Sequence, residues 1–136
     1  MILFKHKIEK IMSKTNTKKL LIAEDERSIA KALQLKLSLS GFEVDIAVNG
    51  EEALDLMKEK KFDLVLLDIM MPKMDGFSVM EAMKKNKNKT PVIILSNLSQ
   101  EDDSKRAQEL GAVDFFVKSN TPLAEIIEKV KKFLKV

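Results

Sequence analysis

Cysteine is absent from the 136-residue chain. A disulfide framework, a thiolate metal site and a catalytic thiol are therefore excluded, and the usage fits a reducing cytoplasm, the expected location. Trp and Tyr are absent as well, and the 7 Phe leave few rings on which nucleic-acid bases could stack, so no direct nucleic-acid contact is expected. The 4 glycines spell neither G-x-x-x-x-G-K nor G-x-G-x-x-G, which removes the two glycine-rich loops that cradle nucleotide phosphates. The single histidine, His6, lies in a polar N-terminal stretch and reads as a solvated residue. No apolar run approaches the roughly 20 residues that a membrane-spanning helix needs. There is no Pro/Gly/Ser-rich linker and no internal repeat, and the length suits one domain of about 100–200 residues.

The net charge of +3 is unevenly placed. Residues 1–19 carry six lysines against Glu9, a net of +5, which leaves the remainder at −2. Residues 1–17, MILFKHKIEKIMSKTNT, are expected to be a basic, disordered leader before a domain over 18–136. Residues 2–4 are too short for a secretory core, and no small-residue cleavage site follows. Ile8, Ile11 and Met12 could line a weak helical face anchored on anionic membrane, a less favoured reading than a mobile tail. Met12 would also serve as an alternative start.

From Lys18 onward, short apolar runs alternate with helical patterns. Residues 20–23 (LLIA), 64–67 (LVLL), 92–95 (VIIL) and 115–117 (FFV) are continuous apolar runs, as strands covered on both faces require. In residues 42–48, Phe42, Val44, Ile46 and Val48 alternate with Glu43, Asp45 and Ala47, the pattern of a half-exposed edge strand. Five helical patterns intervene. The first (Ile29, Ala30, Leu33, Leu37) ends at Gly41, and the second and third follow Ala53–Leu54–Met57 and Phe77–Met80–Met83. The fourth covers about 100–110, capped by Ser99 and ended by Gly111. The fifth has Thr121 as N-cap and Pro122 at its first position. Five strand–helix units predict an α/β flavodoxin-like (βα)5 sandwich, a parallel five-stranded sheet of order 2-1-3-4-5.

In such sheets, function gathers at the carboxyl ends of the strands. The first run ends in Glu24-Asp25-Glu26, the third in Asp68, the fourth in Ser96-Asn97 and the fifth in Lys118. Singly, Glu24-Asp25, Ser96 and Lys118 read as a cap, a turn or a solvated surface residue, whereas Asp68, directly after four apolar strand residues, points to a purpose. Together they place three carboxylates, a hydroxyl and an ammonium on one rim. Converging carboxylates repel unless a cation or proton intervenes, and hard, partly hydrated oxygen ligands suit Mg²⁺. A hydroxyl and an ammonium alongside suit a phosphoryl group.

The segments LLIAEDE, LVLLDIMMPKMDG, VIILSN and FFVKS resemble the receiver domain of two-component response regulators, over about residues 18–135. The resemblance implies that Asp68 accepts a phosphoryl group from a histidine kinase or a small phosphodonor, or passes it to a histidine phosphotransfer protein. It implies that Glu24 (through water), Asp25, Asp68 and the backbone carbonyl of Met70 hold Mg²⁺ or Mn²⁺. Ser96 would hydrogen-bond the phosphoryl oxygens, Lys118 would pair with another, and Phe115 would act as the packing switch. The output surface would be the face of the fourth helix, fifth strand and fifth helix, exposing Lys105, Arg106, Gln108 and the last helix's lysines to a downstream protein. The expected unit is a stand-alone monomer or weak dimer, since the fifth helix runs to Val136, and not an enzyme beyond assisting its own phosphorylation and dephosphorylation.

Two features depart from that pattern. Ser119 follows Lys118 where proline, often after a cis bond, is usual, so the loop is either trans or cis at a cost of about 2.5–4 kcal/mol. Asn97 stands where a small residue is common and would restrict access or add a hydrogen bond. The resemblance also implies that Met70 and Leu98 flank the path of hydrolytic water; both are apolar and cannot orient it, which points to slow self-dephosphorylation. Two other classes fit the residues less well. A phosphorylation-independent binding module sits poorly with a full set of site groups. A Mg²⁺-dependent phosphohydrolase using Asp68 would need a cap domain and a second acid or base, and Ile69 and Met70 are apolar.

Overall fold

The computed structural model describes residues 17–97 and 101–136. Strands and helices alternate: β1 (Lys19–Ala23), α1 (Arg27–Leu39), β2 (Glu43–Ala47), α2 (Gly50–Glu59), β3 (Leu64–Asp68), α3 (Gly76–Lys85), β4 (Val92–Ser96), α4 (Glu101–Glu109), β5 (Asp114–Val117) and α5 (Leu123–Leu134), with a short 3-10 turn at Lys118–Asn120. The strands form one sheet of order β2-β1-β3-β4-β5 with every pairing parallel. This is the flavodoxin-like arrangement expected from the alternation of runs.

The apolar runs divide between two cores because successive side chains of a strand face opposite ways. Leu21, Val65, Leu67 and Ile94 point to one side, where Ala53, Phe77, Val79, Met83 and Ala107 cover them. Leu20, Ile22, Leu64, Leu66, Ile93 and Leu95 point to the other, beneath Leu33, Leu37, Ile126 and Val130. Every residue of β3 and β4 is buried, and each large aliphatic side chain so covered contributes about 1.5–3 kcal/mol. β2 is an edge strand as expected, but its alternation fails at one end. Ile46 is half-buried while Ala47 is buried, because this edge has helices on both faces.

The helix ends follow local chemistry. Asn49 and Asp75 accept hydrogen bonds from Glu52 N and Ser78 N, each at 2.8 Å, a cap worth about 0.5–2 kcal/mol. Gly41 and Gly111 follow α1 and α4 with φ of 98° and 100°, the left-handed region where a Cβ is strained. α5 departs from expectation by one residue. Pro122, not Thr121, is its N-cap, and no side chain caps it. The leader up to residue 16 and the Ser99 cap lie outside the described residues.

Candidate functional site

The register of the sheet aligns the site. Ala23 pairs with Leu67, so Glu24 follows β1 at the level of Asp68. Asp68 pairs with Leu95, so Ser96 stands one residue higher on β4. Ser96 pairs with Val117, so Lys118 stands one residue higher again. Four residues far apart in the chain thus meet on one rising line along the carboxyl rim.

Lys118 closes the group. Its Nζ hydrogen-bonds Glu24 Oε1 and lies 3.1 Å from Asp68 Oδ2. Glu24 is 2% exposed and Asp68 5%. Burial is the main force on Glu24 and pushes its carboxyl up to about 7 from an ordinary 4.5; the Lys118 hydrogen bond opposes the rise and the charge of Asp68 adds to it. Burial works to lower the Lys118 ammonium, but its hydrogen bond to Glu24 and the charges of Asp68 and Glu24 outweigh it and hold the group above its usual value. Glu24 Oε2 also accepts a hydrogen bond from Glu26 N at 3.2 Å, which orients the carboxylate.

Oxygens of Glu24, Asp25 and Asp68 lie within 4.8 Å of one another, two of the residues buried and Asp25 exposed. Three hard carboxylates on an open rim fit a cation such as Mg²⁺, which keeps several waters. Asp25 and Asp68 line a cleft of about 780 Å³ whose wall includes Met70, Pro72, Asn97 and Phe77. Met70 is 63% exposed at its mouth.

The loop from Asp68 to α3 is folded tightly on itself. Gly76 N donates to Ile69 O at 2.7 Å, and Met74 N to Pro72 O at 2.7 Å. A Cβ on Gly76 would run into the Asp68 carbonyl oxygen and reach 2.9 Å from Ile69 Cα. Gly76 and the Asp75 cap are therefore positioning residues that reasoning about chemical groups passed over. Their signal was present as the Asp-Gly pair seven and eight residues after Asp68.

Among the other sequence candidates, Ser96 is fully buried in the rim and Asn97 stands exposed beside it. All described peptide bonds are trans, so the bond from Lys118 to Ser119 is trans, and Lys118 begins a 3-10 turn. Phe115 is half-buried against the core beneath α4. Lys105 and Gln108 are exposed. Arg106 is exposed as well, and its guanidinium lies 4.3 Å from the Phe77 ring centroid and 3.2 Å from Glu81 Oε1. It thereby links α4 to α3 while staying open to solvent. Leu98 lies outside the described residues.

Among the described residues no helix is long and apolar enough to cross a membrane. The family model for the response regulator receiver domain matches residues 20–131. The alkaline phosphatase synthesis transcriptional regulatory protein PhoP of Bacillus subtilis is 39% identical over 118 residues, 87% of this chain and 49% of that protein. The chain spans about half the length of the curated relatives it matches. Among solved structures, the Francisella response regulator 1452 receiver domain superposes with a TM-score of 0.82 at 32% identity, covering 88% of this chain and 98% of that one. The Thermotoga maritima response regulator TrrA, solved in complex with Mg²⁺ and BeF, gives a TM-score of 0.74 at 36% identity, covering 85% and 98%. The fold, the rim and these matches together establish that the chain belongs to the response regulator receiver domain family.

Proposed function

We propose that Asp68 is the phosphoacceptor of this receiver and that phosphorylation is Mg²⁺-dependent. One observation carries the reading: a buried carboxylate at the floor of an open cleft, flanked by two further carboxylates and by a lysine. A carboxylate oxygen of Asp68 attacks the phosphorus of a phosphorylated imidazole or an acyl phosphate. The bond from phosphorus to the leaving nitrogen or oxygen breaks, and an aspartyl phosphate remains. Such a transfer needs in-line placement and charge neutralisation more than covalent help. Glu24, Asp25, Asp68 and the Met70 carbonyl would hold Mg²⁺, which supplies positive charge at the transferring group. Lys118 shields the buried Asp68 charge before transfer and pairs with a phosphoryl oxygen afterwards. Ser96 lies within the same rim to receive another. The product adds about two negative charges, enough to bias the β4–α4 and β5–α5 loops between two arrangements.

The histidine kinase or phosphotransfer donor, the cytoplasmic setting and output by docking a downstream protein on the α4–β5–α5 face belong to the same proposal. So does the absence of turnover on other substrates. Support for Mg²⁺ comes from the TrrA structure, solved with that ion and BeF. Incubation with acetyl phosphate and Mg²⁺, read as intact mass, tests the reading. A single phosphoryl adduct, lost with chelator and in Asp68→Asn, is expected. An adduct that survives in Asp68→Asn would place the chemistry elsewhere.

A further inference from the structure

Because every strand is parallel, all strand starts and all helix ends meet at the pole opposite Asp68. Four segments of that pole are rich in lysine: TKK (17–19) before β1, KEKK (58–61) before β3, KKNKNK (84–89) before β4 and KKFLK (131–135) at the end of α5. They hold twelve lysines, one glutamate and no arginine. Glu43, Asp45, Asp63, Glu109 and Asp114 are the other acids nearby, and of the twelve lysines Lys60 alone is shown in an ion pair, with Asp45 at 2.9 Å. The opposite rim carries Glu24, Asp25, Glu26, Asp68 and Asp75 against Arg27, Lys73 and Lys118. The molecule is electrically polarised along its strands.

Exposed apolar side chains share the basic pole. Of six large hydrophobics exposed among the described residues, Leu39 (80%), Val113 (45%), Phe133 (41%) and Val136 (64%) lie there. The lysine ledge before β4 is also built. Asn88 donates to Met57 Sδ of α2 at 3.6 Å and accepts from Thr90 N at 3.0 Å. It separates two clefts of about 510 and 470 Å³, floored by Met80, Met83 and Val92 and by Leu54, Met57 and Phe62, with Lys87 and Lys89 on the rim of both.

We propose that this pole is a peripheral docking face for a lipid surface rich in anionic headgroups. Lysines interleaved with exposed apolar side chains match a headgroup layer over acyl chains. The same features argue against nucleic acid: there is no arginine fork in the four segments, and Phe133 is the one exposed ring among the described residues. Docked in this way, the acidic rim points away from the lipid and Asp68 stays open to a phosphodonor.

The full chain should sediment with vesicles of equal phosphatidylglycerol and phosphatidylcholine at low salt, and not with pure phosphatidylcholine. Binding should fall steeply between about 50 and 300 mM NaCl. Each lysine near such a surface is worth about fivefold, so K84Q/K85Q/K87Q/K89Q should bind at least about tenfold more weakly while still taking up phosphate from acetyl phosphate. L39Q/F133Q should also bind more weakly, with the salt dependence unchanged. No binding to the anionic vesicles overturns the proposal. Binding by the four-lysine variant equal to wild type, but lost on deleting residues 1–16, overturns the assignment to the folded pole. Tighter binding to a DNA duplex or to polyglutamate than to vesicles at matched salt overturns the choice of lipid.

Discussion

Glu24 makes the receiver site unstable by itself, and replacing it with glutamine should expose that cost. Burial holds the folded carboxyl at about 7 against 4.5, which corresponds to about 3 kcal/mol at neutral pH and above. The sign follows from the direction of the shift. The folded state binds the Glu24 proton more tightly than the unfolded chain does. Its contribution is therefore fully present below about pH 4.5 and is lost as pH rises through about 7. Asp68 and Lys118 face the carboxylate directly, with Asp25 and the Glu26 backbone beside it, and the net effect includes the favourable Lys118 pair. Glutamine resembles the protonated acid and does not titrate. In chelator, Glu24→Gln should be more stable than wild type at pH 8 by up to about 3 kcal/mol, the gap closing towards pH 5. Urea unfolding followed by far-UV circular dichroism is the assay, since the chain has neither Trp nor Tyr for fluorescence. Millimolar Mg²⁺ should reverse the order, because a ligand bound only by the folded state stabilises it by mass action and the variant has lost a carboxylate. A variant less stable than wild type at pH 8 in chelator, or a gap that does not change with pH, would refute the reasoning.

Three further substitutions separate the parts of the site. Lys118→Met strips the ammonium from two buried carboxylates and should cost about 3–5 kcal/mol at pH 8; the same urea titration at pH 5.5 should show a smaller loss, because Glu24 then holds its own proton. Gly76→Ala drives a Cβ into the Asp68 backbone, and should cost about 1–3 kcal/mol while slowing acetyl phosphate labelling measured by intact mass. Asn49→Ala removes the α2 cap, whose side chain bonds Glu52 N and none of the charged groups of the rim; it should cost about 1 kcal/mol and leave the labelling rate as in wild type.

Much of this was legible in the chain itself. Four continuous apolar runs announce strands buried on both faces, since a run such as 64–67 cannot offer water a polar side. Gly41 and Gly111 mark helix ends because a left-handed residue is needed there. The polar groups stand immediately after the runs, so Glu24, Asp25, Asp68, Ser96 and Lys118 could be named as one set. These are local signals, carried by neighbouring residues.

Tertiary structure decided what depends on distant residues. The register rising from Asp68 through Ser96 to Lys118 is set by backbone pairing between strands, and it brings one ammonium against two buried carboxylates. Burial, not composition, lifts the Glu24 carboxyl. Arg106 is the exposed cation the chain suggested, but only packing placed Phe77 and Glu81 beside it. Lysines scattered through the chain form one basic pole only because parallel strands collect every helix end on the same side. The sequence determined which residues are apolar, charged or conformationally free. The fold decided which of them meet, and electrostatic and packing energies depend on those distances.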